Sequence, residues 1–267
     1  MNTVGFVGAG RMGAAMVRRV VAAGHHVNVL ARSPEKGAAI TELGATPVGD
    51  LAGVCAGADV VVICVFTDEQ VRDVAEALIA DLDSHTVVVI HTTVSPHTTE
   101  AIVARGVAVV DAAVSGGPHD IAAGRLTLFV GGSDAAVERV RPVLVSYGDP
   151  IIPVGPPGAG QRVKLINNAL FAAQIGLISA AVEFGERIGV PESTLLAALP
   201  HASAGSRALD SVSRAGSAAS FRAAVGEFLS KDIATVRATA AELGAGLGVL
   251  DTIFDTGLAP TGGTKSA

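Results

Sequence analysis

The chain has 267 residues, of which 49% are hydrophobic, so it is long enough for about two domains, each with a buried core. Its formal net charge is −6, which argues against a nucleic-acid partner, because such proteins usually present a basic face. The two cysteines, Cys55 and Cys64, form no CxxC pair, so we expect no disulfide framework and a reducing, cytoplasmic compartment. We expect no membrane span, because the most apolar stretch, 169–182, is short and contains Gln174.

The first half of the chain alternates short apolar strands with helices, which is typical of an α/β fold with a mostly parallel, doubly wound sheet. The clearest strand is 59–66, DVVVICVF, because a continuous apolar run is typical of a strand buried on both faces. The pattern predicts strands at 3–7, 26–30, 59–66, 86–93, 107–114, 126–130 and 151–154. It predicts helices at 14–23, 34–43, 68–80, 95–105 and 134–145.

The composition changes at the breaker cluster 155–160, GPPGAG, where we place the domain boundary. The expected domains are 1–157, which is α/β, and 158–267, which is all-α and built on one long interdomain helix at 161–188. Further helices are predicted at 192–199, 203–214, 225–243 and 247–254. The tail 257–267 is rich in Gly, Thr and Pro and is expected to be loose.

A glycine motif lies between the first strand and the first helix. The residues of Gly8-Ala9-Gly10-Arg11-Met12-Gly13 fit GxGxxG. Gly8 permits a tight turn, Gly10 lets the backbone approach a pyrophosphate, and Gly13 permits close packing of helix on strand. In this context the motif predicts a Rossmann domain that binds a dinucleotide through these six residues.

The end of the second strand bears on which dinucleotide binds. NAD-selective sites place an acid there to bind the ribose 2′-hydroxyl, whereas this strand ends in Leu30-Ala31-Arg32-Ser33 and reaches an acid only at Glu35. Arg32 can pair with a 2′-phosphate, and Ser33 can donate a hydrogen bond to it. We therefore expect NADP rather than NAD, although Arg32 can also be a solvated surface residue.

The long helix carries two polar residues in an apolar setting. Lys164 and Asn168 are four residues apart and therefore share one helix face. The spacing alone leaves two interpretations open, a catalytic lysine and a lysine whose ammonium group reaches solvent.

Four stretches together resemble the β-hydroxyacid dehydrogenases, the family of 3-hydroxyisobutyrate dehydrogenase, tartronate semialdehyde reductase and glyoxylate/succinic semialdehyde reductase. They are the glycine motif with Met16, the segment 111–117 (DAAVSGG) with Gly131-Gly132, the segment 158–168 (GAGQRVKLINN), and Phe221 with Lys231-Asp232. The resemblance implies a nicotinamide-dependent oxidoreductase that acts on a small β-hydroxyacid or aldehyde acid.

The resemblance also implies roles for individual residues. Lys164 would be the general acid/base, and Asn168 would hold the substrate oxygen or orient the lysine. Ser115, Gly116 and Gly117 would offer hydroxyl and backbone N–H donors to a substrate carboxylate.

Further residues are implied on the cofactor side. Thr93 matches the family's threonine at a strand end, and Lys231 matches a lysine that reaches toward the cofactor. Val65 and Phe66 replace the Leu-Pro pair that is usual after the apolar strand. The family's proline in DAPVSGG is Ala113 here, and Ile121 stands where a smaller residue is usual, which leaves the substrate in doubt.

Two alternative functions remain open. Imine reductases share the fold but usually carry Asp or Tyr where Lys164 stands, and a non-catalytic dinucleotide-binding protein has no need for that lysine. No metal site is expected, and His91 and His97 are interpreted as structural or surface residues. The partners expected are a small-molecule substrate and a second copy of the chain, as a homodimer or higher homo-oligomer, with no nucleic acid and no membrane.

Overall fold

The computed structural model describes residues 1–258, with side chains to residue 255. The predicted loose tail therefore lies outside the described residues from 259 onward. By its internal contacts the chain divides into two compact units, Met1–Lys164 and Leu165–Ala267. The division falls inside the long helix, whereas we placed the domain boundary just before it.

The first unit contains one eight-stranded sheet in the order β3-β2-β1-β4-β5-β6-β7-β8. Its strands are β1 Thr3–Val7, β2 His26–Leu30, β3 Thr46–Val48, β4 Val60–Ile63, β5 Val87–Ile90, β6 Ala108–Ser115, β7 Leu126–Gly131 and β8 Gly148–Gly155. All neighbouring strands pair in parallel except β6 and β7, which are antiparallel. The predicted doubly wound α/β architecture is thus confirmed. The strand order reverses between β1 and β4, the place where such folds bind ligands.

Seven helices belong to the same unit: α1 Gly13–Ala22, α2 Pro34–Glu42, α3 Leu51–Cys55, α4 Asp68–Leu78, α5 Pro96–Ala104, α6 Pro118–Ala122 and α7 Asp134–Leu144. The sequence pattern did not predict β3, α3 or α6. They span three and five residues, which is too short for a periodicity to show. Pro47 in β3 is tolerated because that strand lies at the sheet edge.

The sheet separates two apolar layers. Alternate residues of β4 point to opposite faces, so Val60 and Val62 pack in one cluster and Val61 and Ile63 in the other. All four residues are buried, as the continuous apolar run predicted.

The second unit is helical in its described residues. It comprises most of α8 Ala159–Arg187, with α9 Glu192–Ala198, α10 Arg207–Ala215, α11 Ala218–Glu242 and α12 Val249–Leu258. Its core includes Ile175, Leu209 and Phe221. Helix α11 begins earlier than the predicted 225, because the side chain of Ser217 accepts a hydrogen bond from the Ser220 N–H and caps the helix there.

Helix α8 is long and apolar enough to cross a membrane by length and composition, and it is the one such helix among the described residues. Of its most apolar window, 39% is buried in the protein. A core helix of a soluble protein meets the same criteria, so this property is weak evidence for a membrane span.

Candidate active site

The glycine motif forms the turn between β1 and α1. Gly8 has φ +103°, and a Cβ there would lie 2.2 Å from the carbonyl oxygen of Cys64. A Cβ at Gly13 would lie 2.0 Å from the carbonyl oxygen of Gly8, so the helix packs on the turn too closely for any side chain. Gly10 differs, because apart from its chain neighbours no protein atom lies within 4 Å of its Cβ position. The turn therefore leaves open space beside Gly10, which suits the close approach of a pyrophosphate.

The segment after β2 begins α2. Arg32 is exposed, and Ser33 caps α2 by accepting a hydrogen bond from the Lys36 N–H at 3.3 Å. A hydrogen bond from the Ser33 hydroxyl also lowers the pKa of Glu35. In this structure the Ser33 side chain is engaged within its own turn, and its contact with a 2′-phosphate stays a prediction. The exposed Arg32 can pair with a 2′-phosphate and so favour NADP.

The segment after β4 carries Val65 and Phe66. The Val65 N–H donates to Thr92 Oγ1 at 2.9 Å, and the Thr92 hydroxyl donates back to the Val65 carbonyl at 3.0 Å. The Phe66 N–H donates to Gln70 Oε1 at 2.9 Å, while the Phe66 ring is 54% exposed. The polypeptide is thus fixed here at the carboxyl edge of the sheet, with an aromatic side chain projecting from it.

The segment after β5 carries Thr93, which is half-buried between two residues held by one side chain. Gln161 Nε2 donates to the Thr92 carbonyl at 2.9 Å, and Gln161 Oε1 accepts from the Val94 N–H at 3.0 Å. Gln161 belongs to the first turn of α8, three residues before Lys164. The loop with Thr93 and the start of the lysine-bearing helix are therefore joined directly.

The carboxyl end of β6 carries Ser115, Gly116 and Gly117. Ser115 is half-buried, and Gly116 is exposed with φ +131°. The Gly117 N–H, however, donates to Asp120 Oδ2 at 2.8 Å and caps α6. This N–H therefore has an acceptor within the protein, and a substrate carboxylate would compete with Asp120 for it. The Ser115 hydroxyl and the backbone at Gly116 remain candidates.

Asp111, in the middle of β6, holds the beginning of α8. It is fully buried, and its carboxylate accepts from the Gly158 N–H at 2.7 Å and from the Gln161 N–H at 2.8 Å. Burial raises the pKa of Asp111 to about 6, and the backbone N–H donors act in the opposite direction. Neither Asp111 nor Gln161 was among the site residues that the sequence indicated. Their contacts span 50 residues of sequence, so no local pattern reveals them.

Lys164 and Asn168 lie on the continuous helix α8, four residues apart. Lys164 is half-buried and is the last residue of the first unit. Asn168 belongs to the second unit, is 6% exposed, and accepts a hydrogen bond from Asn167 Nδ2 at 3.3 Å. Lys231 is half-buried on α11 in the same unit, where its carbonyl accepts from the Thr235 hydroxyl.

His91 is a buried structural residue. Its Nδ1 lies 2.7 Å from the Ala112 carbonyl and its Nε2 lies 2.8 Å from the Tyr147 hydroxyl. Because a carbonyl can only accept, Nδ1 is the protonated nitrogen and the tyrosine donates to Nε2. Burial lowers the pKa of His91 to about 4, so the ring is neutral. Across the described residues, no group of three or more His, Cys, Asp or Glu side chains could hold a metal ion.

Comparison with known proteins relates both parts of the chain to dehydrogenases. Residues 3–155 match the NAD-binding domain of 6-phosphogluconate dehydrogenase, and residues 158–259 match the NAD-binding domain of NADP-dependent 3-hydroxyisobutyrate dehydrogenase. A 3-hydroxyisobutyrate dehydrogenase of Pseudomonas aeruginosa is 31% identical over 79% of this chain and 73% of its own. An NAD-dependent L-serine dehydrogenase of the same organism is 33% identical over the same shares.

Solved structures agree with this relationship. The 3-hydroxyisobutyrate dehydrogenase of Mycobacterium tuberculosis with L-serine is 28% identical, covers 96% of this chain and 92% of its own, and has a TM-score of 0.85. An imine reductase from Pseudomonas sp. is 20% identical with a TM-score of 0.66, over 95% of this chain and 91% of its own, which shows a shared fold alone. The chain belongs to the β-hydroxyacid dehydrogenase family, the NAD(P)-dependent oxidoreductases that act on CH–OH groups and include 3-hydroxyisobutyrate dehydrogenase.

Proposed function

We propose that this enzyme oxidises the primary alcohol of a small β-hydroxyacid with NADP⁺, or reduces the matching aldehyde acid with NADPH, with Lys164 as the general acid/base. The observation that carries the proposal is the pair of hydrogen bonds between the Gln161 side chain and the loop of Thr93, one donated and one accepted by Gln161. They join the first turn of the lysine-bearing helix to the carboxyl edge of the sheet, where a dinucleotide binds in this fold.

The chemistry divides between cofactor and protein. When bound, the nicotinamide accepts or supplies the hydride. Lys164 removes the hydroxyl proton in oxidation and returns a proton to the carbonyl oxygen in reduction. Asn168, on the same helix, is proposed to bind the substrate oxygen, and the Ser115 hydroxyl is proposed to donate to the substrate carboxylate. Lys231 and Thr93 are proposed on the cofactor side.

The names of three relatives indicate the substrate class. Relatives act on 3-hydroxyisobutyrate, on L-serine and on 2-(hydroxymethyl)glutarate. These acids share one core, a hydroxymethyl group on the carbon that carries the carboxylate, and differ in the third substituent of that carbon. Ala113 and Ile121, which depart from the family pattern, are both fully buried in the sheet domain. Because neither side chain is exposed, these two departures give no reason to expect a different core, and we propose an acid of this type.

The catalytic role can be tested with purified wild type and Lys164→Ala on the three acids with NADP⁺ and NAD⁺. We expect the variant to lose turnover by about 10²-fold or more while its cofactor affinity stays near that of wild type. Lys164→Arg is the matched control, because it keeps the charge but cannot serve as a base near neutral pH. Turnover by Lys164→Ala at the wild-type rate would refute the assignment. Turnover of cyclic imines but of none of the acids would favour imine reduction, and cofactor binding without either would favour a non-catalytic role.

Cofactor preference is proposed to depend on Arg32. We expect Arg32→Ala to weaken NADP⁺ binding by about 10-fold or more, since it removes the cation proposed to pair with the 2′-phosphate, and to leave NAD⁺ binding unchanged. Glu35→Gln is the matched control, because it removes the neighbouring negative charge and should strengthen NADP⁺ binding. Equal effects of Arg32→Ala on both cofactors would show that NADP is not selected at this position.

We also propose that the enzyme is a cytoplasmic homodimer or higher homo-oligomer that associates through α8. Large apolar side chains on this helix and just after it are more than half exposed: Ile166, Leu170, Leu177, Phe184 and Ile188. Leu170, Leu177 and Phe184 recur every seven residues, which is typical of a helix face that packs against another helix. We expect Leu177→Glu to yield monomers in size-exclusion chromatography with light scattering. A monomeric wild type would refute the proposal.

A further inference from the structure

Asp111 lies in a niche that is built from glycines. Within residues 1–255 no other Asp, Glu, Lys or Arg side chain is buried. A Cβ at Gly131 would lie 2.5 Å from Asp111 Oδ1, and a Cβ at Gly160 would lie 2.8 Å from Asp111 Oδ2. These glycines therefore leave room for the carboxylate. The carboxylate accepts hydrogen bonds from the backbone N–H groups of Gly158 and Gln161.

The donors are the backbone groups that a helix cannot satisfy by itself. The first N–H groups of α8 have no partner within the helix, and here a side chain from the sheet accepts from two of them. A carboxylate also suits the positive end of the helix dipole. Asp111 thus fixes the start of α8 on β6, in both position and direction.

The Gln161 side chain holds the same first turn of α8 against a second place, the loop after β5. Its side chain is 1% exposed and bridges the Thr92 carbonyl and the Val94 N–H. Thr92 in turn exchanges hydrogen bonds with Val65 at the end of β4. The first turn of α8 is therefore tied to β6 through Asp111 and to the loops after β5 and β4 through Gln161.

Lys164 follows Gln161 by three residues, or about 4.5 Å along the helix axis. We propose that Asp111 and Gln161 are positioning residues that set where Lys164 stands relative to the carboxyl edge of the sheet. This inference rests on the proposed role of Lys164 as the acid/base. Misplacing a reacting group by 1 Å can cost about 10²-fold in rate, so a looser first turn should lower kcat without removing any group that touches the substrate.

The test is a double-mutant cycle on kcat, with whichever of the three acids wild type oxidises best. Asp111→Asn keeps the shape of the side chain but turns an amide N–H₂ toward one of the backbone donors. Gln161→Met keeps the volume and removes both side-chain hydrogen bonds. We expect each to lower kcat by about 10-fold or more, with KM and cofactor affinity within about 3-fold of wild type. In a Lys164→Ala background the same changes should have no further effect, because they act through the lysine. Asp50→Asn is the matched control, since Asp50 caps α3 by accepting from the Gly53 N–H in the same way.

Amide hydrogen exchange over residues 156–164 supplies a readout that needs no substrate. Asp111→Asn should speed exchange there by about 10-fold or more, and Asp50→Asn should not. Unchanged exchange, an unchanged kcat, or a kcat loss that persists in full on the Lys164→Ala background would each overturn the inference. A Lys164→Ala enzyme as active as wild type would instead refute the proposed function. If Asp111→Asn fails to fold, the double-mutant cycle on kcat and the exchange measurement are both made with Gln161→Met alone.

Discussion

The buried pair of His91 and Tyr147 should make the stability of the first unit depend on pH in a way that one substitution can isolate. His91 donates through Nδ1 to the Ala112 carbonyl and accepts through Nε2 from the Tyr147 hydroxyl. The ring is 2% exposed, and its neutral form satisfies both partners. Protonation would place a second N–H toward the tyrosine oxygen and a positive charge in the apolar interior.

The magnitude follows from the shift in pKa. Burial lowers the pKa of His91 from 6.5 to about 4 in the folded protein, so between these values the unfolded chain binds the proton more strongly. Stability is therefore complete above pH 6.5 and is lost as the pH falls toward 4. At 1.36 kcal/mol per unit, the loss is about 3 kcal/mol. Asp111 acts in the opposite sense between pH 3.8 and about 6, because its pKa is raised in the folded state.

The contribution of His91 can be separated from that of Asp111 by comparing wild type with His91→Gln. Asp111 is present in both proteins, so its contribution cancels in the difference between their free energies of unfolding. We expect the unfolding free energy of wild type minus that of His91→Gln to fall by about 3 kcal/mol between pH 7 and pH 4. Urea unfolding can be followed by far-UV circular dichroism and by the fluorescence of Tyr147, the chain's only tyrosine in a sequence without tryptophan. His26→Gln, at an exposed histidine, provides the control profile. A difference that stays constant over this range would refute the reasoning.

Three further single substitutions have expected effects. Gly160→Ala should destabilise the protein by about 2 kcal/mol, because the new Cβ would lie 2.5 Å from the Phe129 carbonyl oxygen. Gly10→Ala has open space and should change the free energy of unfolding by less than about 0.5 kcal/mol while weakening NADP⁺ binding, and equal stability losses in both would contradict this distinction. Tyr147→Phe should cost about 1–2 kcal/mol at pH 7 in urea unfolding, since it leaves a buried imidazole nitrogen without its donor, and a neutral effect would show that the hydrogen bond adds nothing.

The sequence predicted the elements whose signals are local and repeated. Apolar runs such as 59–66 gave the buried strands, because a strand covered on both faces must be apolar throughout. The short elements β3, α3 and α6 were missed. In α6 a local signal was present, since Pro118 at the first position and Asp120 two residues later indicate a helix N-terminus after Gly117. That signal predicts the hydrogen bond from the Gly117 N–H to Asp120 that the structure contains.

Contacts within the site were harder to predict than its motifs. GxGxxG could be recognised because its three glycines serve one local turn. The contacts of Gln161 with Thr92 and Val94 join residues 69 and 67 positions apart, and nothing in either segment alone requires the other. The predicted contact of Ser33 with a 2′-phosphate stays a prediction, and the structure adds that its side chain interacts with Lys36 and Glu35, three and two residues away.

Three glycines of the matching motifs differ in what would meet a side chain at their positions. At Gly10 there is open space, which suits a molecule that approaches the backbone there, as the glycine motif predicts. At Gly131 and Gly160 the space is filled by Asp111 and its neighbours, and glycine is required by the protein's own packing. The second and third motifs of the family resemblance therefore meet at one buried carboxylate. The geometry of that contact, rather than contact with a ligand, explains why both motifs contain glycine at these positions.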